Sequence, residues 1–383
     1  RWPYDKRHMI KEIKEMKSKK NNRWGRRWLA VLSLTGLMCC ISMAAFTSMD
    51  QVTAVEGGGY FPVAVKLSTG EILAVIRGGG AHLSRAGRLD LVISDDGGRT
   101  WSKPWTVVDG PEDDRNPALG QLADGTILLA YAVLSGYEAD GQRLPEDVSK
   151  WVFDGVYVIR SKDKGKTWTK PELSLEIHSF YAGRGAVSPY GKIIQLEDGT
   201  VIMAVYFDFF DDRGNQSYVF RSKDGGKTWG EPSLVGEHFN ETAVLALPDG
   251  SLLAAMRSEK GGHLAVSRSE DGGKHWSPPF QITQDMEHPA DLIQLKNGQT
   301  LLSYGERNAP MGVRAIFSRD GGKTWEWDKK IIISASAPNT DCGYPSSVEV
   351  DRGQIVTLYY QVDDPKNAPQ SAKCLAARWK IPD

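Results

Sequence analysis

One eight-residue polar phrase recurs five times along the chain: SDDGGRTW at 94–101, SKDKGKTW at 161–168, SKDGGKTW at 222–229, SEDGGKHW at 269–276 and SRDGGKTW at 318–325. Its Ser and Asp oxygens can accept backbone N–H groups, its glycines admit a tight backbone, and its Trp can pack between sheets. The phrase therefore reads as a self-satisfied turn. A turn repeated almost unchanged is a folding device, whereas a catalytic centre is single and asymmetric. Repetition on this scale restricts the fold to an array of similar units.

A second element alternates with the first. It reads LSTGEILAV around Gly70, LADGTILLAY around Gly125, LEDGTVIMAVY around Gly199, LPDGSLLAAM around Gly250, LKNGQTLLSY around Gly298 and VDRGQIVTLYY around Gly353. Each is an apolar run, a tight Asp-Gly-like turn and another apolar run, which is the pattern of a β-hairpin. The polar turn follows each of the first five hairpins. A unit is then a hairpin, a third strand, the polar turn and a fourth strand, repeated every 50 to 70 residues or so, the size of a propeller blade. The fold class expected is all-β, a six-bladed β-propeller of four-stranded blades, with residues 52–59 completing the last blade. Forty glycines, nineteen prolines, twelve tryptophans and thirteen tyrosines suit such a turn-rich β protein. Longer insertions fall at 135–151 and 172–184.

Residues 1–45 read as a separate segment from the propeller expected over 46–383. Lys17, Lys19, Lys20, Arg23, Arg26 and Arg27 precede an apolar run from Trp28 to Phe46 that ends in small residues, the layout of a secretory signal peptide. The expectation is an exported protein, periplasmic or secreted; left uncleaved, the same segment would attach it to a membrane. Without it the chain carries 36 basic and 45 acidic side chains, a net of −9 with His neutral. That acidity argues against nucleic acid as a partner. Cys342 and Cys374 then remain, either paired by a disulfide or as two buried thiols. There is no Gly-rich phosphate loop and no Cys/His metal spacing, so neither cofactor nor metal is expected.

Function should lie where the units differ. Aligned on the hairpin glycines, the positions nine residues earlier hold Phe61, Asn116, Tyr190, Glu241, Pro289 and Tyr344. One position before these come Tyr60, Arg115, Pro189, Asn240, His288 and Gly343, and two positions after come Val63, Ala118, Lys192, Ala243, Asp291 and Ser346. These begin the innermost strands and should ring one mouth of the central channel. Seven residues after the glycines, Arg77, Tyr206, Arg257 and Tyr360 should lie near the same mouth. The gathering of Arg77, Arg115, Arg257, Glu241, Asp291, His288 and Tyr344 suggests an anionic ligand, since guanidinium forks match carboxylate geometry.

With these residues placed, the sequence resembles the sialidase (neuraminidase) superfamily, whose repeated polar turns are called Asp boxes. The resemblance spans residues 52–383. Phe239-Asn240-Glu241-Thr242-Ala243 and Ala255-Met256-Arg257 resemble the segments with the catalytic Glu and a substrate-binding Arg. Asp341-Cys342-Gly343-Tyr344-Pro345-Ser346-Ser347 resembles the segment with the nucleophilic Tyr. Gly312-Val313-Arg314-Ala315 resembles a segment with another carboxylate-binding Arg, for which Arg307 competes. The resemblance implies an exo-acting glycoside hydrolase that removes a terminal, sialic-acid-like sugar from a glycan, with Tyr344 as nucleophile and Glu241 as its base. A neutral Tyr hydroxyl avoids the repulsion a carboxylate nucleophile would meet from the sugar's own carboxylate.

Two positions depart from the family pattern. Tyr60-Phe61-Pro62 stands where Arg-Ile-Pro is usual, with Arg77 or Arg115 as the expected substitutes. The loop at 78–87, GGGAHLSRAG, lacks the usual acid/base Asp, so His82 is the first candidate for the acid and Asp114, beside Asp113, the second. These departures keep open a glycosidase for another sugar, or a carbohydrate-binding propeller without catalysis.

Overall fold

The computed structural model describes residues 49–182 and 185–382; the leader read over residues 1–45 lies outside the described residues. Strand β1 (Asp50–Glu56) comes first, followed by six antiparallel meanders. The first is β2 (Tyr60–Lys66), β3 (Ile72–Gly78), β4 (Arg88–Ser94) and β5 (Trp105–Val108). The second is β6 (Asp113–Gln121), β7 (Ile127–Ser135), β8 (Val152–Ser161) and β9 (Glu172–Leu173), with a short helix α1 (Leu175–Tyr181) after it. The third is β10 (Ala186–Gln195), β11 (Val201–Asp208), β12 (Asn215–Ser222) and β13 (Gly230–Glu237). The fourth is β14 (Phe239–Ala246), β15 (Leu252–Ser258), β16 (Leu264–Ser269) and β17 (Phe280–Gln281). The fifth is β18 (Glu287–Gln294), β19 (Thr300–Glu306), β20 (Gly312–Ser318) and β21 (Ile331–Ser334). The sixth is β22 (Cys342–Asp351), β23 (Gln354–Val362) and β24 (Ala372–Lys380), and β1 pairs with β24 as its outer strand.

Four of these meanders are separate four-stranded sheets. The second and third form one eight-stranded sheet, because a short parallel bridge pairs Gly191 with Ala118 and Lys192 with Leu119 between the inner strands β10 and β6. Packing shows that all six stand in a closed ring. Apolar faces of consecutive blades meet in six clusters, one at each seam. Leu73, Val75 and Leu91 of blade one meet Leu119, Leu129 and Ile159 of blade two. Val156 and Val158 meet Met203 and Phe220 at the next seam, and Ile202 and Val219 meet Val244 and Ala254 at the third. Leu253 and Val266 meet Leu292 and Leu302 at the fourth, and Leu301 and Val313 meet Tyr359 and Trp379 at the fifth. Val356, Leu358 and Ala376 meet Ile72, Ala74 and Val92 at the sixth, which returns the ring to its start. Both faces of each sheet are thus covered, and the second strand of each blade is a largely apolar run, such as Ile72–Gly78, Ile127–Ser135 and Val201–Asp208.

The repeated polar turn joins the third strand to the fourth. In the third blade, Ser222 Oγ accepts from Gly226 N at 2.8 Å and donates to Asp224 Oδ1 at 2.7 Å. Asp224 also accepts from the backbone of Lys227 and Thr228, both at 3.0 Å, and from Thr228 Oγ1 at 2.7 Å. The turn is self-satisfied, as its composition implies, but it is also a clasp between blades. A Cβ on Gly226 would lie 2.6 Å from Leu128 of the preceding blade, and one on Gly98 would lie 2.8 Å from Val356 of the sixth. Glycine is therefore required there by close approach as well as by backbone conformation. The carbonyl of Gly272 accepts from Arg221 of the preceding blade at 3.1 Å, and that of Gly165 from Trp105 at 3.2 Å.

Cys342 and Cys374 are both free and buried, on β22 and β24, the two strands that flank β23. Among the described residues no helix is long and apolar enough to cross a membrane.

Two expectations follow for stability. Removing residues 49–56 leaves β24 as a bare edge and uncovers Val356 and Ala376; the ring should lose its cooperative thermal unfolding, and an unchanged transition would overturn the role assigned to β1. In the first Asp box, hydrogen bonds from Thr100 hold the Asp96 carboxyl down at about 2. A carboxyl lowered on folding adds stability that is present above its unfolded value near 4 and is lost as pH falls through the folded one. The urea midpoint should therefore drop between about pH 4 and pH 2, and Asp96→Asn should flatten part of that drop. Identical pH profiles for the two proteins would show that the box carboxylate is not responsible.

Candidate active site

The innermost strand of every blade slips register with its neighbour near its first residues. The shifts lie between Tyr60 and Val63, Arg115 and Ala118, Tyr190 and Ile194, Phe239 and Thr242, Glu287 and Ala290, and Gly343 and Ser346. A bulge re-aims side chains that a regular strand would point into a sheet face. Phe61, Asn116 and Tyr344 take left-handed backbone conformations there, with φ of +52°, +49° and +52°. Side-chain-bearing residues in that region carry strain, which concentrates at functional sites. Phe61, Asn116, Tyr190, Glu241, Asp291 and Tyr344, one from each blade, line a single cavity at the channel mouth.

At its centre the Tyr344 hydroxyl donates to Glu241 Oε1, and Arg257 Nη1 donates to Glu241 Oε2 at 2.7 Å. Glu241 is buried. Burial, and then the Glu241 charge, raises the Tyr344 phenol well above its usual range, so it stays neutral until its proton is taken. Burial opposes the Arg257 charge, but Glu241 outweighs that penalty and raises its pKa. The Arg257 Nε is buried without a hydrogen-bond partner.

Arg115 reaches the same place from blade two. Its Nη1 donates to Asp113 Oδ2 at 3.1 Å and its Nε to Asn116 Oδ1 at 3.2 Å. Asn116 in turn donates to the Tyr206 hydroxyl at 2.9 Å. The charges of Arg115 and Arg257 act on the same two phenols, Tyr206 and Tyr344. Both guanidinium groups thus lie within electrostatic reach of the Tyr344 hydroxyl.

Other residues expected at the mouth are placed differently. Arg77 is fully buried; it grips Asp113 Oδ1 through Nη2 at 2.7 Å and Nε at 3.0 Å, and the carbonyls of Ala81 and Ser84 at 2.5 and 3.1 Å. With its fork spent on protein it does not substitute for the absent blade-one arginine. Arg314 lies on β20, two strands out from the channel, and is buried against the carbonyls of Ser334 and Pro310, so it does not face the cavity. Arg307 is the arginine beside Tyr344, 5.7 Å from its ring, where it braces the chain by donating to the Thr340 and Cys342 carbonyls, both at 2.9 Å. It also contacts His288 Nδ1 at 2.7 Å, and burial, then the Arg307 charge, pushes the His288 pKa far below the usual range. His288 is therefore a neutral buried partner of Arg307. Asp291 reaches the cavity wall but is held by Lys192 Nζ at 2.6 Å and the Ser347 amide at 2.7 Å.

Of the two acid candidates, Asp114 is buried and accepts from Gly110 N at 2.6 Å. Burial raises its carboxyl to about 6, but it acts on Tyr131 and Tyr157 at the seam of blades one and two, not on the cavity residues. His82 lies at the mouth, its Nδ1 3.1 Å from Asp341 Oδ1 and its ring 4.9 Å from that of Phe61, which is 4.8 Å from that of Tyr344. Asp341 is the member of this site that the sequence leaves without a role; the offsets place Asn116 and Tyr206 at the mouth, and Asp113 stands beside the acid candidate Asp114. Asp341 stands three residues before Tyr344, the one signal that pointed to it. Among the described residues no group of three His, Cys, Asp or Glu side chains could hold a metal ion.

Comparison with known proteins agrees with this architecture. A family model described as a BNR repeat-like domain matches residues 70–357. A sialidase of Bacteroides fragilis (strain YCH46) is 27% identical over 287 residues, covering 73% of this chain and 40% of the relative. The chain spans between 40% and 56% of the length of the curated relatives it matches. A protein of unknown function from Dyadobacter fermentans DSM 18053 aligns with a TM-score of 0.72 and 27% identity, over 87% of this chain and 98% of that one. The Hadza microbial sialidase Hz136 shares the fold with a TM-score of 0.63 at 19% identity, over 85% of this chain and 66% of its own. From the six closed blades, the five Asp boxes and these matches, the chain belongs to the BNR repeat-like family of the sialidase superfamily.

Proposed function

We propose that the chain is an exo-acting glycoside hydrolase that removes a terminal, acidic, sialic-acid-like sugar from a glycan at this channel mouth. The observation that carries the reading is the contact of Tyr344, Glu241 and Arg257. A buried carboxyl group accepts the proton of a phenol that burial keeps neutral, and a guanidinium holds that carboxyl group in place. Tyr344 Oη attacks the anomeric carbon, its proton passes to Glu241, and the bond to the leaving oxygen breaks. Water then attacks the same carbon, the bond to Tyr344 breaks, and Glu241 returns the proton to Oη. Arg115 and Arg257 supply the positive charge for an anionic substituent beside that carbon. The Bacteroides fragilis relative named as a sialidase supports the same class of chemistry.

A second reading is a related hydrolase for a less acidic sugar. The observation in its favour is Tyr60, fully buried where the family pattern has an arginine, with Arg77 committed to Asp113.

Release of 4-methylumbelliferone from its α-sialoside by residues 46–383 should be saturable. Tyr344→Phe should lower kcat by at least about 10³-fold. Glu241→Gln should lower it by about 10²–10⁴-fold. Both variants should keep the wild-type thermal transition to within a few degrees. Turnover by Tyr344→Phe at the wild-type rate would remove Tyr344 as the nucleophile. Turnover of neutral aryl glycosides in preference to the sialoside would favour the second reading.

A further inference from the structure

The reaction above leaves one proton unassigned, the one that must reach the leaving oxygen. We infer that His82 delivers it, and that Asp341 and Tyr360 position His82 for the task. This assignment rests on the reading of Tyr344 as the nucleophile.

The geometry begins with a loop that the sequence makes unusual. The segment at 78–87 contains no Asp or Glu, and its glycines let the chain fold back on itself: a Cβ on Gly79 would lie 2.1 Å from the Ala86 carbonyl oxygen, and one on Gly80 2.6 Å from Ser84 Cβ. Arg77 pins this loop from beneath, donating to Ala81 O just before His82 and to Ser84 O just after it. Asp113 compensates the buried Arg77 charge, and Gly87 is the one residue that fits against the pair. The arginine that does not serve substrate thus fixes the backbone on either side of His82.

The side chain is equally defined. His82 Nδ1 lies 3.1 Å from Asp341 Oδ1, and the Tyr360 hydroxyl donates to the same oxygen at 2.7 Å. The Asp341 carboxyl is held below its usual range: burial opposes its charge, but His82 and the hydrogen bond from Tyr360 outweigh that penalty. An imidazole that gives its Nδ1 proton to a carboxylate presents Nε2 as the working nitrogen, the arrangement used by histidine acid–base catalysts generally. The His82 side chain is 44% exposed, and its ring packs edge-to-face with Phe61, the ring that also contacts Tyr344. The mouth thus holds two proton carriers, Glu241 against Tyr344 and His82 across the Phe61 ring from it.

The step balances. As Tyr344 Oη bonds to the anomeric carbon and gives its proton to Glu241, the carbon–oxygen bond to the leaving group breaks, and His82, entering the step protonated on both nitrogens, passes its Nε2 proton to the departing oxygen. Neutral His82 then takes a proton from the attacking water, whose oxygen bonds to the anomeric carbon as the bond to Tyr344 breaks and Glu241 reprotonates Oη. One water is consumed, and His82 and Glu241 return to their starting states.

The test compares two leaving groups. A phenol departs without protonation, whereas a sugar alcohol does not. His82→Gln should lower kcat/KM on sialyllactose by about 10²–10³-fold and on 4-methylumbelliferyl α-sialoside by less than tenfold. Asp341→Asn should show the same asymmetry at smaller size, and imidazole should restore part of the sialyllactose activity to His82→Gly. Nitrogen NMR of neutral His82 should report the proton on Nδ1, and Asp341→Asn should shift it toward Nε2. Equal losses on both substrates, no loss on either, or the proton on Nε2 in the wild type would each overturn the assignment while leaving Tyr344 and Glu241 as argued. A wild type that cleaves neither substrate overturns the nucleophile reading first, and the acid role of His82 with it.

Discussion

Closing six blades into a ring solves a burial problem that none of the blades can solve alone. Each blade is a twisted sheet with two apolar faces, and no blade can cover both by itself. Six seams cover them, and the sixth exists because β1, from the start of the described chain, pairs with β24 near its end. The Asp boxes act at the same seams. Their internal hydrogen bonds hold a rigid turn, and their glycines and carbonyls are then offered to the blade before. The repeated phrase is thus kept similar by two demands at once, internal satisfaction of the turn and close approach to a neighbour.

A closed ring brings the same position of six inner strands to one mouth. The bulges near those strand starts convert that equivalence into a site. They turn Phe61, Asn116, Tyr190, Glu241 and Tyr344 toward a common cavity and hold three of them at positive φ. Glu241 and Tyr344 are 103 residues apart in the chain and share a proton contact across the channel. Burial then does the electrostatic work: it keeps the phenol neutral, keeps His288 neutral beside Arg307, and leaves the carboxylates that remain charged paired with cations or hydrogen-bond donors.

The arginines show where sequence reading stops. Five were placed at the mouth by offset or by resemblance. Arg115 and Arg257 do converge there, and Arg307 stands beside Tyr344 as a brace. Arg77 shares its offset with Arg257, yet it turns to Asp113 and the 78–87 loop, because a buried guanidinium needs a carboxylate and carbonyls nearby and those are present in blade one. Arg314 belongs to a third strand, so its offset from the hairpin never put it on the channel. Offset along a strand tells which end of a blade a side chain occupies. It does not tell which neighbours will saturate it.

The repeat, the hairpins and their turns, the box and the number of blades are legible in the sequence, because they rest on local periodicity and turn chemistry. The pairing of Tyr344 with Glu241 is implied by the family resemblance, and their contact forms only across the ring. That Cys342 and Cys374 stay apart across β23, that Asp114 faces a seam, and that Asp341 joins His82 to Tyr360 are settled by packing in three dimensions. Those outcomes depend on contacts between residues up to 259 positions apart. Such contacts exist only once the ring has closed, and no local pattern in the chain records which buried groups will then satisfy one another.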